Sequence, residues 1–157
     1  MDYEIIELKE KVAAVISART SNASPEMGEV IGGLWKRFYS PEIAGALKNR
    51  ADEYALGIYT EYDSDEKGAY TAAVGCAVSG MDGLPEGMRA ITIPAGRYAV
   101  FSIAGGLDAQ QQLAALRKLW QELWSMDLSR AFSCDFEEYR SADPNRADIR
   151  VYIGLKD

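Results

Sequence analysis

The apolar pattern at the start of the chain predicts a strand followed by a helix. Residues 3–20 have an extended pattern, with an apolar run of strand length at 13–18. Ser24 is suitably placed as a helix N-cap, and Pro25 follows it in the first turn. The helix itself is predicted from apolar residues spaced three and four apart, namely Met27, Val30, Ile31, Leu34, Trp35 and Phe38.

A hairpin is predicted after this helix. Ser40-Pro41 ends the helix, and residues 42–48 have the pattern of one more short helical turn. Residues 54–62 and 69–78 are rich in aromatic and branched side chains and are joined by a polar turn. The segment 79–87 is rich in Gly and Pro, which makes it the best candidate for an internal boundary.

The same order of elements returns in the second half. Strands at 88–94 and 98–103 precede a helix that Asp108 is placed to cap. Residues 132–140 and 147–155 then have the pattern of a second hairpin. The apolar stripe of the helix consists of Leu113, Leu116, Leu119, Trp120, Leu123 and Trp124.

The two halves can be aligned with each other, although few residues are identical. An offset of 85 in residue number places Trp35 on Trp120. In the hairpins, an offset of 77 places Tyr59 on Phe136, and residues 41–50 then resemble an insertion. The repeated order of strand, helix, strand and strand indicates a duplicated unit.

We therefore expect one domain over residues 1–157, with internal repeats at about 1–79 and 88–157. The expected fold class is α+β, with duplicated strand-helix-strand-strand units, antiparallel sheets and pseudo-two-fold symmetry. Each helix has one apolar stripe, which must cover one face of a sheet. A ligand cleft is expected between the two units, because clefts between similar units commonly bind small molecules.

Composition and charge exclude several classes of function. The chain has 17 basic and 24 acidic residues, a net charge of −7, and no histidine. Catalytic triads with histidine and imidazole metal ligands are therefore excluded. Cys76 and Cys134 are too far apart for a CxxC redox or zinc motif. The acidic balance argues against direct nucleic-acid binding and favours cationic partners.

Nothing in the sequence indicates a targeting segment, a membrane span, a metal site or a cofactor. The N-terminus lacks the basic and apolar regions of a signal peptide. No apolar stretch approaches the roughly 18 residues that a membrane span requires. We expect a cytoplasmic protein with reduced thiols, no cofactor and no bound metal.

Two adjacent acids at 137 and 138 are the strongest candidates for chemistry. Alternation along a strand puts Glu137 and Tyr139 on one face and Phe136 and Glu138 on the other. One interpretation is an edge strand whose charges prevent aggregation. The other is that one carboxylate points into the cleft, where it could pair with a cation or act as a base.

The aromatic residues bear on this choice. Trp35 and Trp120 have the spacing of core residues, and core packing is the simpler interpretation for both. Tyr59, Tyr139 and Tyr152 lie on the predicted hairpins, together with Tyr62. Aromatic faces around a carboxylate suit lipophilic cations, although a tyrosine on a strand is often only a cross-strand packing residue.

Four motifs occur along the chain in the order found in the GyrI-like family, which the chain therefore resembles. This family includes the effector-binding domains of AraC- and MerR-type multidrug regulators. Residues 2–6 (D-Y-E-I-I) resemble its first strand, and residues 93–101 (I-P-A-G-R-Y-A-V-F) resemble the strand pair before its second helix. Residues 136–139 (F-E-E-Y) match its F-E-x-Y motif, and residues 149–153 resemble its closing strand. The resemblance covers nearly the whole chain.

The resemblance implies a ligand cleft between the duplicated units, with the motif glutamate, here Glu137, inside it. It also implies that Tyr152 of the closing strand and Tyr59 of the first hairpin line this cleft. Regulators of the family carry an added helix-turn-helix unit, for which this chain has no room. We therefore expect a stand-alone module, or one that acts through a protein partner or as a homodimer.

Three functions stay open at this point. The first is a binding module for amphipathic, cationic, drug-like compounds, with a role in transcription regulation through a partner. The second is hydrolysis of an electrophilic small molecule with Glu137 as general base, an activity that the resemblance also allows. The third is inhibition of a protein such as gyrase, in which the negative charge of the chain mimics nucleic acid.

Overall fold

A computed structural model describes residues 2–156 of the chain. In this part of the chain there are eight strands, two α-helices and one short 3-10 helix, Ala44–Ala46. The first half contains β1 (Glu4–Leu8), β2 (Lys11–Ser21), α1 (Met27–Phe38), β3 (Ala55–Thr60) and β4 (Ala69–Ala77). The second half contains β5 (Arg89–Ile93), β6 (Gly96–Gly105), α2 (Ala109–Ser125), β7 (Arg130–Tyr139) and β8 (Ala147–Leu155).

The strands form one antiparallel sheet, which curls into a half-barrel. Their order is β1-β6-β8-β7-β3-β4-β2-β5, so the two halves meet at the pair of β3 and β7 in the centre. The order is the same from either edge when each strand is exchanged with its counterpart in the other half, that is β1 with β5, β2 with β6, β3 with β7 and β4 with β8. The expected α+β class with duplicated units is therefore confirmed. What the sequence pattern did not indicate is that the edge strands are exchanged: β1 pairs with β6, and β5 pairs with β2.

Strand registers give the correspondence between the halves. Ala13 of β2 faces Ala77 of β4, and Tyr98 of β6 faces Gly154 of β8. Ala13 and Tyr98 differ by 85 in residue number, and Ala77 and Gly154 differ by 77. Both offsets suggested by the sequence therefore recur, the first between β2 and β6 and the second between β4 and β8. The duplication is thus visible in the hydrogen-bonded pairing as well as in the element order.

The offset between β3 and β7 differs from the one predicted. Through their partners in the neighbouring strands, Gly57 corresponds to Glu137 and Tyr59 corresponds to Tyr139. The alignment of Tyr59 with Phe136 was therefore wrong. Two connections differ in length between the halves, the one from helix to strand and the hairpin turn, whereas the prediction placed the whole difference before the hairpin.

Both helices lie on one face of the sheet. Leu34 and Phe38 are the buried residues of α1, and Leu119 and Leu123 are those of α2. On the other face, apolar residues from all eight strands pack into one cluster, which the curl of the sheet makes possible. Sheet residues are consequently buried on both faces. Neither helix, in the part of the chain described, is long and apolar enough to cross a membrane.

Only one of the two predicted helix caps is present. The Asp108 side chain accepts a hydrogen bond from the Gln111 amide at 2.8 Å, and the Gln111 side chain accepts one from the Asp108 amide at 2.9 Å. This is a capping box, as expected at α2. The Ser24 prediction was wrong, because α1 begins later, at Met27. The Ser24 hydroxyl instead accepts from the Glu26 amide at 3.3 Å, within a turn that precedes the helix.

Candidate functional site

A cavity of about 540 Å³ opens between the two helices. Its floor is formed by the central strands of the sheet, where the two halves meet. Its walls are mainly apolar and aromatic. The residues that line it are Asn22, Met27, Gly28, Ile31, Gly32, Trp35, Tyr59, Tyr62, Glu66, Tyr70, Leu113, Leu116, Arg117, Trp120, Gln121, Trp124, Arg130, Glu137 and Tyr139.

Glu137 is the buried acidic group of this cavity, with 2% of its surface exposed. The Trp120 indole N–H donates to its Oε2 at 2.7 Å, and the Tyr139 hydroxyl donates to its Oε1 at 2.6 Å. The Tyr59 hydroxyl is a third polar neighbour. Among residues 2–156, Lys and Arg side chains form five ion pairs with carboxylates, and Glu137 takes part in none of them.

Burial controls the protonation of this group of residues. Loss of solvent raises the pKa of Glu137, and the hydrogen bonds from Tyr139, Trp120 and Tyr59 oppose that rise. Burial and the nearby Glu137 charge raise the pKa values of Tyr59 and Tyr139 well above their usual range. Both tyrosines are therefore neutral near pH 7. The carboxylate is surrounded by neutral donors, which solvate its charge without cancelling it.

Aromatic pairs stand on both sides of Glu137. The Trp35 ring meets the Tyr139 ring edge-to-face, with centroids 5.0 Å apart. The Trp120 ring meets the Tyr59 ring in the same way, with centroids 5.5 Å apart. The offsets between the halves make these two pairs equivalent, so the duplication builds a symmetric aromatic frame around one carboxylate.

Glycine occupies the position that corresponds to Glu137 in the first half. Gly57 and Glu137 face each other across β3 and β7, at the centre of the pseudo-symmetry. A Cβ atom on Gly57 would lie 3.1 Å from Oε1 of Glu137 and 3.3 Å from the Trp35 ring. Such contacts are tighter than ordinary packing, so the absence of a side chain at Gly57 leaves the room that the carboxylate fills.

The edge-strand interpretation of the two acids is wrong. β7 lies between β3 and β8 and is hydrogen-bonded to both, so neither of its edges is free. Strand alternation separates the two acids, as predicted. Glu138 lies on the opposite face from Glu137, where it accepts from Arg140 at 2.5 Å and pairs with Lys11 at 3.6 Å.

Tyr152 lies away from the cavity, contrary to the expectation from the family resemblance. It faces Phe136 in the pairing of β7 with β8, and the two rings stack with centroids 4.3 Å apart. Phe136 and Glu137 point to opposite faces because they are neighbours in one strand. The Tyr152 hydroxyl therefore donates to Glu138 at 3.2 Å, on the face that the helices do not cover.

The structure brings the five other sequence-predicted site residues together in one cavity. Glu137, Tyr59, Tyr139, Trp35 and Trp120 all line it. Both tryptophans lie beside the carboxylate or its tyrosine neighbours: the Trp120 N–H donates to Glu137, and the Trp35 ring contacts the Tyr139 ring.

One end of the cavity was missed by the sequence analysis. Arg130 lines this end and forms a buried ion pair with Asp135 at 2.8 Å, while the Tyr62 hydroxyl donates to Asp135 at 2.6 Å. Tyr70 also lines it, and burial with the Glu137 charge raises the pKa of Tyr70 to about 12. The sequence signal for the pair was weak, because a β-bulge between Arg130 and Asp135 breaks the alternation that would have related them.

The chain is similar to proteins of a known family. Residues 4–155 match the family model described as Cass2, integron-associated effector binding protein. A Bacillus subtilis (strain 168) protein described as a candidate transcriptional regulator, YobU, is 33% identical over 159 residues, which cover 97% of this chain and 96% of that protein.

Solved structures have the same fold. The Vibrio cholerae integron cassette protein VCH_CASS2 superposes with a TM-score of 0.77 at 28% identity, over 98% of this chain and 95% of that one. The structure of SAV2435 bound to tetraphenylphosphonium superposes with a TM-score of 0.77 at 17% identity, over 99% and 94% of the two chains. The chain belongs to the Cass2 family of integron-associated effector binding proteins, which is a GyrI-like family.

Proposed function

We propose that the cavity binds small amphipathic cations and that Glu137 is their counter-charge. The observation that carries the proposal is a carboxylate with 2% exposure in an aromatic cavity, without a cationic side chain paired to it among residues 2–156. Leaving a buried charge uncompensated destabilises a fold by several kcal/mol in general. A ligand that supplies the missing positive charge recovers part of that free energy on binding.

The aromatic frame suits such a ligand for a second reason. The faces of Trp and Tyr rings attract cations by roughly 0.5 to 2 kcal/mol each, more when water is excluded. Two edge-to-face pairs hold four rings beside Glu137, and the remaining walls are mainly apolar. A lipophilic cation can therefore bury its carbon surface and its charge at once. Micromolar dissociation constants, which correspond to about 8 kcal/mol, are in reach.

The relatives support the ligand class and the molecular role. The family is described as effector-binding. SAV2435 was solved with tetraphenylphosphonium, a cation with four aromatic rings, although its likeness to this chain extends to the fold alone.

Calorimetric titration with tetraphenylphosphonium tests the proposal. We expect micromolar binding by the wild type and a dissociation constant at least about tenfold higher for Glu137→Gln, because the amide keeps the shape and removes the charge. Glu138→Gln is the matched control, since the same change one residue along the strand lies on the opposite face. Its affinity should equal that of the wild type.

Two outcomes would contradict the proposal. Equal affinities of the wild type and Glu137→Gln would show that the carboxylate is not the counter-charge. No binding by the wild type would exclude this ligand class and favour hydrolysis of an electrophile, in which case turnover of a strained electrophile should disappear in Glu137→Ala.

We further propose that the loaded module acts in transcription regulation through a protein partner. The regulator-like relative at 33% identity favours this role. Affinity capture by the full chain, with and without tetraphenylphosphonium, should enrich the partner in one condition only. Glu137→Gln should remove that difference, and a cation-independent partner profile would contradict the regulatory role.

A further inference from the structure

The two helical walls of the cavity are equivalent by pseudo-symmetry but unequal in bulk. When α1 is aligned with α2 so that Trp35 matches Trp120, Gly28 corresponds to Leu113 and Gly32 corresponds to Arg117. The two glycines, Leu113 and Arg117 all line the cavity. One wall therefore presents bare helix backbone where the other presents two large side chains.

Packing within the protein does not require these glycines. A Cβ atom on Gly28 or Gly32 would meet nothing within 4 Å, and neither residue has a left-handed backbone. Glycine inside a helix is also the least favourable residue after proline, so both positions lower the stability of α1. The open space is on the cavity side, beside Trp35, which lies one turn further along the same stripe.

Glu137 points independently to a ligand in this space. It is a carboxylate with only 2% of its surface exposed in the same cavity, outside every ion pair formed by residues 2–156. The cavity thus combines a buried carboxylate outside those ion pairs with a recess along α1, where Gly28 and Gly32 have no side chains. A small cation without an aromatic group on that side would leave the recess empty.

We propose that Gly28 and Gly32 are specificity-determining residues, which admit a flat aromatic group of the ligand against the backbone of α1. The ligand class is then a cation with an aromatic arm that extends from the charged centre along α1. This inference rests on the proposed function and adds the shape of the ligand to its charge. The two glycines lower the stability of α1 and in return expose its backbone to contact with the ligand.

The test compares two phosphonium ions that differ by one ring, tetraphenylphosphonium and methyltriphenylphosphonium. Calorimetry is done on the wild type and on the double variant Gly28→Leu/Gly32→Leu, which fills the recess with side chains like Leu113. We expect the wild type to prefer the larger ion by about tenfold or more, because the extra ring buries apolar surface. The double variant should lose most of this preference and have a higher melting temperature.

Gly33→Leu is the matched control. Gly33 lies on the same helix, has the same free space around a Cβ atom, and is absent from the cavity lining. It should gain stability without a change in either affinity. A double variant that binds both ions with the wild-type affinities overturns the inference. If Glu137→Gln still loses binding in that case, the proposed function stands. A wild type that binds neither ion overturns both.

Discussion

Glu137 is an ionisable group in a buried position, and burial disfavours its charged form. Its two oxygens accept hydrogen bonds from Trp120 and Tyr139, and the Tyr59 hydroxyl is the third neutral donor beside them. Hydrogen bonds of this kind reduce the desolvation penalty of a carboxylate without abolishing it. The ionised form of Glu137 therefore lowers the free energy of unfolding, and the protonation of this residue makes stability depend on pH.

Glu137→Gln should stabilise the free protein at neutral pH. Burial raises the pKa of Glu137 above its usual value of 4.5, so the folded state binds the proton more tightly than the unfolded state does. The stability that this proton provides is complete below pH 4.5 and is lost as the pH rises through the raised pKa. The neutral amide escapes that loss, which is about 1.4 kcal/mol for each tenfold difference in proton affinity between the folded and unfolded states.

Thermal melts of both proteins between about pH 4 and pH 8 measure this effect. The melting temperature of Glu137→Gln should exceed that of the wild type at about pH 8, and the gap should close as the pH falls. Glu138→Gln serves as the control, because that carboxylate is ion-paired with Lys11 and Arg140. A gap that is constant over the whole range would mean that Glu137 does not titrate there.

At the scale of the elements, the two helices begin in different ways. α2 has a capping box at Asp108, whereas α1 begins at Met27 without a side-chain cap. Both positions had the sequence signature of a cap. The difference arises because residues before Met27 form a separate turn, in which the Met27 amide donates to the Ser24 carbonyl at 3.3 Å. A local signature predicts the residue type of a cap, but the following chain decides where the first helical turn closes.

Asp108→Ala should lower the free energy of unfolding by about 1 kcal/mol, because the Gln111 amide loses its acceptor. Ser24→Ala should cost only a few tenths of that amount, since Ser24 caps no helix. Urea titrations of the two variants and the wild type give the comparison directly. Equal losses in the two variants would contradict the assignment of the caps.

Strand alternation predicted part of the site and failed for the rest, for a physical reason. It placed Glu137 and Tyr139 together because they are two residues apart in one strand. It could not place Tyr152, because that requires the register between β7 and β8, which only the pairing with Phe136 provides. Both faces of the central strands are buried, so polarity did not indicate which face belongs to the cavity.

At the scale of the whole molecule, exchange of the edge strands joins the two halves. β1 is hydrogen-bonded to β6 over five residue pairs from Glu4 to Leu8, and β5 is bonded to β2 over five pairs from Arg89 to Ile93. The central pair of β3 and β7 adds six more. Each half therefore depends on the other at an outer strand as well as at the centre. The order of strand, helix and hairpin was predictable from periodicity, whereas this exchange depends on long-range pairing that local patterns do not encode.

The halves should consequently unfold in one transition. Trp35→Phe leaves Trp120 and Trp124 to report on α2, and Trp120→Phe/Trp124→Phe leaves Trp35 to report on α1. Within each variant, the urea midpoint from tryptophan fluorescence should equal the midpoint from far-ultraviolet circular dichroism. A fluorescence midpoint that differs from the dichroism midpoint would mean that the halves unfold separately.

The pairing of Gly57 with Glu137 at the centre of the sheet has a consequence for how such a site can arise. An assembly of two identical chains around a two-fold axis must place the same residue twice at the axis. Two carboxylates there would repel each other, and two glycines would leave no charge at all. Joining both copies in one polypeptide removes that constraint, since each copy can then change independently. A single acidic group flanked by matched aromatic rings is thus an arrangement available to a fused pair and closed to a homodimer.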